Sequence, residues 1–298
     1  MQLSLIVNTY DQPEFLAKVF SGLAIQTRLP DEIVVADDGS SHDTADLIQR
    51  WQGRLKTPLR HVWHEKNGFR RALILNKAIA ACTGDYIVFT DGDCVPDRRF
   101  ISDHRALAQR KVWIQGRRCY VRPEYVSEFE IGETPLWRWI LRGRIAFTTK
   151  FMHLPVPLWR RDKSEGGVIG CNMAFWRNDL LAVNGFDEDY TGWGCEDKDL
   201  ACRMYHLGLE RKRVKHQAIL FHLDHPLLSR ENLRANEARL RTTRNSRVIR
   251  CQRGLDQHLS GAKLKSDAER TIRVKPAAVL SRDEQWQAGP ASFPSLSR

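Results

Sequence analysis

The first 120 residues alternate short apolar runs with segments whose apolar residues recur at helical spacing. Four runs rich in β-branched residues predict strands, which cover residues 3–7, 32–36, 60–63 and 86–89. Helices are predicted between them, near 15–23, at 45–51 and at 71–82. Asp43 is expected to cap the second helix. This order predicts an α/β fold with a mostly parallel sheet and helices on both faces.

Three of the predicted strands end in polar or acidic turns, which lie at 9–11, 37–38 and 91–93. In open parallel sheets, ligands bind outside the carboxyl ends of the strands. We therefore expect a ligand site at this edge. Neither G-x-G-x-x-G nor G-x-x-x-x-G-K-[ST] occurs, so a bound phosphate needs another partner, such as a divalent metal.

The pair Asp91 and Asp93 is the candidate for holding that metal. The chain has 21 Asp and three D-x-D triplets, so the bare pattern says little. Only the triplet at 91–93 directly follows an apolar strand, at the edge where ligands bind. A solvated acidic turn is the alternative interpretation.

A helix predicted over 196–207 begins with acidic residues. Its apolar stripe places Glu196 and Asp197 on the inward face, where carboxylates are costly unless they line a cleft. Helix capping is an alternative that is compatible with a cleft. Asp199 is expected to form a solvated ion pair with Arg203, four residues later.

His222 follows the apolar run 218–221 and is thereby placed at another strand end. Neutral imidazole binds Mn²⁺-like metals alongside carboxylates, so His222 is a candidate ligand. His225 follows three residues later and competes for that role. A structural role for either histidine is the alternative.

The net charge of +11 lies mainly in the last quarter of the 298 residues. Residues 226–298 hold 15 Lys and Arg against 7 Asp and Glu, a net of +8. A nucleic-acid-binding protein is disfavoured, since no recognition motif accompanies the charge and the acidic sheet edge repels phosphate. The arginine-rich stretch 230–253 predicts either contact with anionic lipid or a solvated helix packed on the domain. The tail beyond 256 is expected to be mobile.

The remaining composition favours a globular protein in a reducing, cytoplasmic setting. Hydrophobic residues make up 42% and charged residues 28% of the chain. Seven cysteines include no C-x-x-C pair, so neither a zinc knuckle nor a disulfide framework is indicated. Neither a signal peptide nor a run of 18 apolar residues is found.

Several motifs recur in an order that resembles glycosyltransferase family two, with the GT-A fold. They lie at 6–11, 34–40, 66–76, 84–93 and 192–197. The last, with 185–188, looks like the galactosyltransferase-type C-terminal half of chondroitin-polymerase-like and β-1,4-galactosyltransferase-like enzymes. The resemblance covers about residues 3–226. It implies inverting, Mn²⁺- or Mg²⁺-dependent transfer of a hexose from a UDP-sugar to a glycan or glycolipid acceptor, in polysaccharide or lipopolysaccharide synthesis.

The resemblance also implies roles for individual residues. Asp197 would be the general base, and Glu196 would contact the transferred or acceptor sugar. Asp91, Asp93 and His222 would hold the metal. The nucleotide-sugar site would be formed by Thr9, Tyr10, Asp11, Asp38, Asn67, Gly68, Arg71, Asp91 and Trp193.

The expected organisation is a catalytic domain over 1–225 and an arginine-rich extension over 226–298. Within the domain, 1–120 would bind the nucleotide and 121–225 the acceptor. The Trp- and Arg-rich segment 137–161 predicts an acceptor lip or a helical hairpin. A sugar-nucleotide nucleotidyltransferase is the enzymatic alternative, although residues 8–13 contain neither the glycine nor the basic residue that a triphosphate needs.

Overall fold

The computed structural model describes residues 1–132, 136–146, 153–154, 156–226 and 229–259. The strands in these ranges are β1 Leu3–Thr9, β2 Glu32–Asp37, β3 Leu59–Trp63, β4 Tyr86–Asp91, β5 Cys94–Pro96, β6 Val112–Gln115, β7 Arg117–Val121, β8 Leu158–Asp162, β9 Met173–Trp176, β10 Glu210–Lys215 and β11 Ile219–Leu223. The helices are α1 Pro13–Ala24, α2 His42–Gln52, α3 Arg71–Ala81, α4 Phe100–Leu107, α5 Leu136–Leu141, α6 Arg177–Val183, α7 Glu196–His206 and α8 Leu233–Ser246.

Eight of the strands form one large sheet, in the order β3-β2-β1-β4-β9-β6-β10-β8. The four predicted strands are its parallel half, β3-β2-β1-β4. Beyond them β9 runs antiparallel to both β4 and β6, and β6 pairs with β10 in parallel. A second sheet, in the order β5-β11-β7, lies beside it. The predicted α/β, mostly parallel architecture is confirmed.

The core lies on both faces of the large sheet, which explains the continuous apolar runs of its strands. In β1, Leu5 and Val7 belong to one buried cluster, whereas Ile6 belongs to the other. Alternating side chains point to opposite faces, so one strand supplies two cores. Helices α1 and α2 pack into the first core and α3 into the second.

Two local predictions are wrong. Helix α2 begins at His42 after Ser41, so Asp43 lies in its first turn and does not cap it. The prediction of a helical hairpin is wrong for residues 158–161, because they form the edge strand β8, which pairs antiparallel with β10. Residues 147–152 and 155 of that segment lie outside the described residues.

The ion pair between Asp199 and Arg203 forms but is buried rather than solvated. The guanidinium lies 2.7 Å from the carboxylate, and neither side chain is more than 1% exposed. Tyr190 and Thr243 donate hydroxyl hydrogen bonds of 3.2 and 2.7 Å to Asp199. Thr243 belongs to α8, so a helix distant in sequence covers the pair.

We expect Thr243→Val to destabilise the fold by about 1.5–3 kcal/mol, since it removes a buried hydrogen bond to a charged group at constant shape. Urea unfolding measures the change in the free energy of unfolding. The matched control is Thr242→Val on the same helix, which is exposed and bonds only to a local carbonyl. Equal effects of the two variants would contradict the assignment.

The arginine-rich stretch is helical over Leu233–Ser246 and packs on the body through Leu240. Half of its eight arginines form ion pairs with carboxylates of the described residues; these are Arg239, Arg244, Arg250 and Arg253. After it, Leu255 is buried, and Nε2 of His258 lies 2.6 Å from Glu188, so the chain up to 258 is packed. Most of the tail for which mobility is predicted, 260–298, lies outside the described residues.

All seven cysteines are free and buried. Among the helices of the described ranges, none has the length and apolarity needed to cross a membrane.

Candidate active site

A cleft of about 560 Å³ opens at the carboxyl edge of the parallel strands. In register, Thr9 of β1 lies beside Asp37 of β2, and Asn8 lies beside Asp91 of β4. Ten of the predicted candidates line this cleft: Thr9, Tyr10, Arg71, Asp91, Asp93, Trp193, Glu196, Asp197, His222 and His225. The fold therefore brings together residues that are far apart in the sequence.

Arg71, the first residue of α3, links two acidic parts of the cleft. Its Nη2 donates a 2.6 Å hydrogen bond to Asp91, and its Nη1 lies 3.4 Å from Glu196. Burial lowers the pKa of Arg71, but the two carboxylates outweigh burial and raise the pKa overall. A Cβ at Gly170 would lie 2.9 Å from Nη1, so glycine makes room for the guanidinium. The cleft thus holds a fixed positive charge.

Asp93, His222 and His225 form a compact cluster. One ligand atom from each lies within 4.8 Å of the others. Nε2 of His225 is 2.8 Å, and Nε2 of His222 is 3.5 Å, from Oδ2 of Asp93. Strand pairing sets this geometry, because β5 and β11 run antiparallel and Leu223 donates its N–H to the Asp93 carbonyl at 2.8 Å.

The electrostatics of the cluster follow from burial and close contact. Burial raises the pKa of Asp93, but the hydrogen bond from His225 and the nearby His222 outweigh it and lower the pKa. Burial lowers the pKa of His222, and the Asp93 contact raises that of His225 to about 9. A carboxylate with two imidazoles fits a metal of the Mn²⁺ type better than Mg²⁺, which prefers oxygen ligands. Buried Nδ1 of His222, which has no hydrogen-bond partner in the described chain, also fits a polar ligand environment.

The structure separates the two acids of the D-x-D triplet. Asp93 joins the two histidines, whereas Asp91 is engaged by Arg71 and lies outside the cluster. His222 and His225, the two alternatives for the histidine ligand, both converge on Asp93. Their role as metal ligands stays a prediction.

Glu196 and Asp197 open α7 at the rim of the same cleft. A tight loop aims them there, with Gly192, Gly194 and Cys195 at φ values of 70, 105 and 76°. Burial, then the adjacent Asp197, raises the pKa of Glu196 to about 7. Burial also raises the pKa of Asp197, against the opposing effect of Arg71. Lys198 donates its N–H to Asp197 at 2.8 Å, while Oε2 of Glu196 is buried without a hydrogen-bond partner in the described ranges.

Four predicted nucleotide-binding residues lie beside the cleft and do not line it: Asp11, Asp38, Asn67 and Gly68. Asp11 accepts hydrogen bonds from the N–H and the hydroxyl of Ser41. Asp38 is buried, with Nε2 of His64 at 2.7 Å and the N–H of Arg70 donating to it at 3.0 Å. It therefore holds the loop that leads to Arg71.

Tyr10 lies at the mouth of the cleft, where the ammonium group of Lys66 sits 3.3 Å from the ring centroid. Among the lining residues that the sequence analysis missed are Arg118 and Tyr120. They lie two apart on β7, and Nε of Arg118 donates to the Tyr120 hydroxyl at 3.0 Å. The period-two alternation of 117–121 was the available signal.

Solved structures of the GT-A fold share this architecture. The mannosyltransferase PcManGT from Pyrobaculum calidifontis, in complex with GDP-Man and Mn²⁺, matches with a TM-score of 0.53 and 21% identity over 83% of this chain and 64% of that chain. S. aureus TarS 1-349, in complex with UDP-GlcNAc, matches with a TM-score of 0.57 and 15% identity over 91% and 74%. At these identities the likeness shows the fold alone.

The sequence model of glycosyl transferase family 2 matches residues 4–154, and that of the N-terminal domain of galactosyltransferase matches residues 151–226. The chain belongs to glycosyltransferase family 2, since the first match spans half of its 298 residues. The resemblance inferred from the motifs is thereby confirmed.

Curated relatives agree with this assignment. Validoxylamine A glucosyltransferase of Streptomyces hygroscopicus subsp. jinggangensis (strain 5008) is 30% identical over 70% of this chain and 52% of that protein. Chondroitin synthase of Escherichia coli is 25% identical over 78% and 36%. The chain spans about half, or less, of the length of these relatives.

Proposed function

We propose that the chain transfers a hexose from a UDP-sugar to a hydroxyl group of a glycan or glycolipid acceptor, with inversion and with a divalent metal, in cell-surface polysaccharide or lipopolysaccharide synthesis. The observation that carries this proposal is that the Asp93–His222–His225 cluster and the Glu196–Asp197 pair line the same cleft. PcManGT in complex with GDP-Man and Mn²⁺ and the chondroitin synthase relative support it.

The metal-binding residues are Asp93, His222 and His225, and the cation is Mn²⁺ in preference to Mg²⁺. A divalent cation held there supplies positive charge that makes the nucleoside diphosphate a better leaving group. Arg71 adds a fixed positive charge beside Asp91. Thr9 and Tyr10, which line the cleft at the end of β1, border the nucleotide.

Asp197 acts as the general base. The acceptor oxygen forms a bond to the anomeric carbon while the bond from that carbon to the diphosphate breaks, and the hydroxyl proton passes to the Asp197 carboxylate. Proton transfer of this kind contributes about 10²–10⁴-fold to rate. Glu196, held by Arg71 next to the base, contacts the sugar, and Trp193 offers it an aromatic face.

The direct test is a screen for UDP release over several donor sugars with Mn²⁺ and with Mg²⁺, followed by mass spectrometry of the acceptors. We expect UDP release and an acceptor that gains one hexose. Release of pyrophosphate would instead identify a nucleotidyltransferase, and the proposal would fall.

We expect kcat/KM to rise with pH around neutrality, because the base must lose its proton and burial raises the pKa of Glu196 to about 7 and that of Asp197 above its usual range. Glu196→Gln removes the acid whose pKa burial and Asp197 raise to about 7, so the remaining rise belongs to Asp197 alone and should lie at lower pH. A pH–rate profile checks this, with exposed Glu231→Gln as the control. An unchanged pH–rate profile in Glu196→Gln would show that Glu196 does not contribute to the observed titration.

We further propose that residues 1–225 are the catalytic domain of a cytoplasmic enzyme, with the nucleotide half at 1–120 and the acceptor half at 121–225. Residues 226–298 form the basic extension. Its contact with anionic lipid stays a prediction; the ion pairs of α8 support the packed-helix alternative.

A further inference from the structure

A second concavity, of about 280 Å³, lies at the outer edge of the large sheet. We call it the edge hollow; it is lined by Arg117, Leu158, Trp159, Arg160, Arg213 and Lys215. Four of these six side chains are cationic and none is acidic. The hollow is formed by strands β7, β8 and β10 and is separate from the catalytic cleft.

Strand register crowds the cations of the hollow together. Arg160 of β8 lies directly opposite Arg213 of β10, and Leu158 lies opposite Lys215. Directly opposed like charges destabilise a sheet unless an anion compensates them. Burial, and then the guanidinium groups of Arg211, Arg117 and Arg160, lower the pKa of Arg213, against the opposing effect of Asp162.

Carboxylates of the described chain compensate little of this charge. Arg160 lies 3.3 Å from Asp162, but no acidic side chain of the described ranges forms an ion pair with Arg117, Arg213 or Lys215. Nε of Arg213 is buried without a hydrogen-bond partner within those ranges. Arg117, Arg213 and Lys215 therefore bring positive charge to the hollow that no carboxylate of the described ranges pairs with directly.

The remaining lining residues are apolar and exposed. Leu158 is 50% and Trp159 49% exposed on a strand at the edge of the sheet. The guanidinium of Arg161 lies 5.5 Å and the ammonium of Lys212 lies 5.1 Å from the Trp159 ring centroid. An aromatic ring bordered by cations suits a sugar ring that carries carboxylate or phosphate, since the ring stacks and the anion is bound by the cationic groups. A concave site of this size suits a short saccharide segment better than the flat surface of a bilayer.

The edge hollow lies on the other face of β7 from the catalytic cleft. Arg117 lines the hollow, whereas the next residue, Arg118, lines the cleft. Arg213 donates a 2.6 Å hydrogen bond to the carbonyl of Gly166, in the loop whose residues 168–170 also line the cleft. A saccharide bound in the hollow would thus lie next to the elements that form the acceptor side.

We infer that the edge hollow is a binding site for an anionic segment of a saccharide chain, remote from the transfer site. The inference goes beyond the proposed function, because it concerns where an acidic glycan is held and not the sugar that is transferred.

The test measures binding of a six-residue oligogalacturonate by isothermal titration calorimetry, with a neutral hexasaccharide for comparison. Arg117→Gln combined with Lys215→Gln should raise the Kd about tenfold or more, because two ionic contacts are lost. The matched control is Arg234→Gln with Arg241→Gln, which removes the same charge from exposed positions of α8. The control should leave the Kd nearly unchanged.

Trp159→Ala separates a saccharide from a simple anion. It should weaken oligogalacturonate binding several-fold and leave binding of inorganic tripolyphosphate unchanged. Thermal unfolding verifies that each variant is folded.

Three results would overturn the inference. If the two double variants lost the same affinity for oligogalacturonate, the effect would be one of net charge. If the protein bound the neutral hexasaccharide as tightly as oligogalacturonate, the hollow would not recognise the anionic groups. Binding to phosphatidylglycerol vesicles that depends on Arg117 and Lys215, with unchanged oligogalacturonate affinity, would assign the surface to a membrane. Because the assay reads binding alone, it gives its answer whether or not the chain transfers a hexose.

Discussion

Replacing Asp197 by Asn should lower kcat by about 10²–10⁴-fold while the affinity for UDP stays nearly the same. The amide cannot accept the acceptor proton, but its oxygen can still accept the hydrogen bond from the N–H of Lys198. The start of α7 should therefore keep its geometry. Loss of rate without loss of donor binding is the signature of a group needed in the transition state.

Steady-state UDP release gives kcat, and calorimetric titration with UDP and Mn²⁺ gives the donor affinity. Asp46→Asn, an exposed substitution of the same kind on α2, is the control and should be neutral. Unchanged turnover in Asp197→Asn would remove Asp197 from the mechanism. A loss in Glu196→Gln that exceeds the loss in Asp197→Asn would transfer the role of base to Glu196.

The sequence predicts the parallel half of the fold because its strands are buried on both faces. In the sequence such strands appear as unbroken apolar runs, so β1, β2 and β4 can be recognised without tertiary information. Strand β8 is different: its residues Leu158–Asp162 include two arginines and one aspartate, and nearly all are exposed. Its extended form comes from pairing with β10, which local propensity does not encode.

The candidate site divides in the same way. The strand ends alone predict that the acids lie at one edge of the sheet, since parallel strands share that edge. Which acid does what depends on contacts between distant segments. Asp91 and Asp93 belong to one triplet in the sequence, and the resemblance makes Asp93 the more direct metal ligand. In the fold, α3 brings Arg71 to Asp91, whereas β11 and the residues after it bring two histidines to Asp93.

The sequence also does not predict that the ion pair between Asp199 and Arg203 is buried. The spacing of Asp199 and Arg203 predicts their ion pair correctly, because it depends only on helix geometry. Its burial depends on α8, which begins some thirty residues later and lays Thr243 over the pair. The sequence within α7 alone gives no sign of that cover.

Asp93→Asn should weaken Mn²⁺ binding by about 100-fold or more, since even the groups that orient metal ligands cost 10–100-fold when changed. The carboxylate is the only anionic member of the cluster, and the amide that replaces it is a poor ligand for a divalent cation. His222→Ala and His225→Ala should each weaken Mn²⁺ binding too, because both imidazoles converge on Asp93. The affinity for Mn²⁺ is measured by titrating Mn²⁺ in the presence of UDP, with electron paramagnetic resonance as the readout.

Asp91→Asn is the informative comparison, because the sequence pairs Asp91 with Asp93 whereas the structure pairs it with Arg71. We expect Asp91→Asn to retain most of the Mn²⁺ affinity and to lose activity instead, since Arg71 loses a carboxylate that fixes it in the cleft. The control is Asp189→Asn, in the D-x-D triplet at 187–189, which lies outside the cleft. It should change neither the Mn²⁺ affinity nor the activity. If Asp91→Asn abolished Mn²⁺ binding while Asp93→Asn kept it, the cation would be bound through the end of β4 alone, and the histidines would have only a structural role.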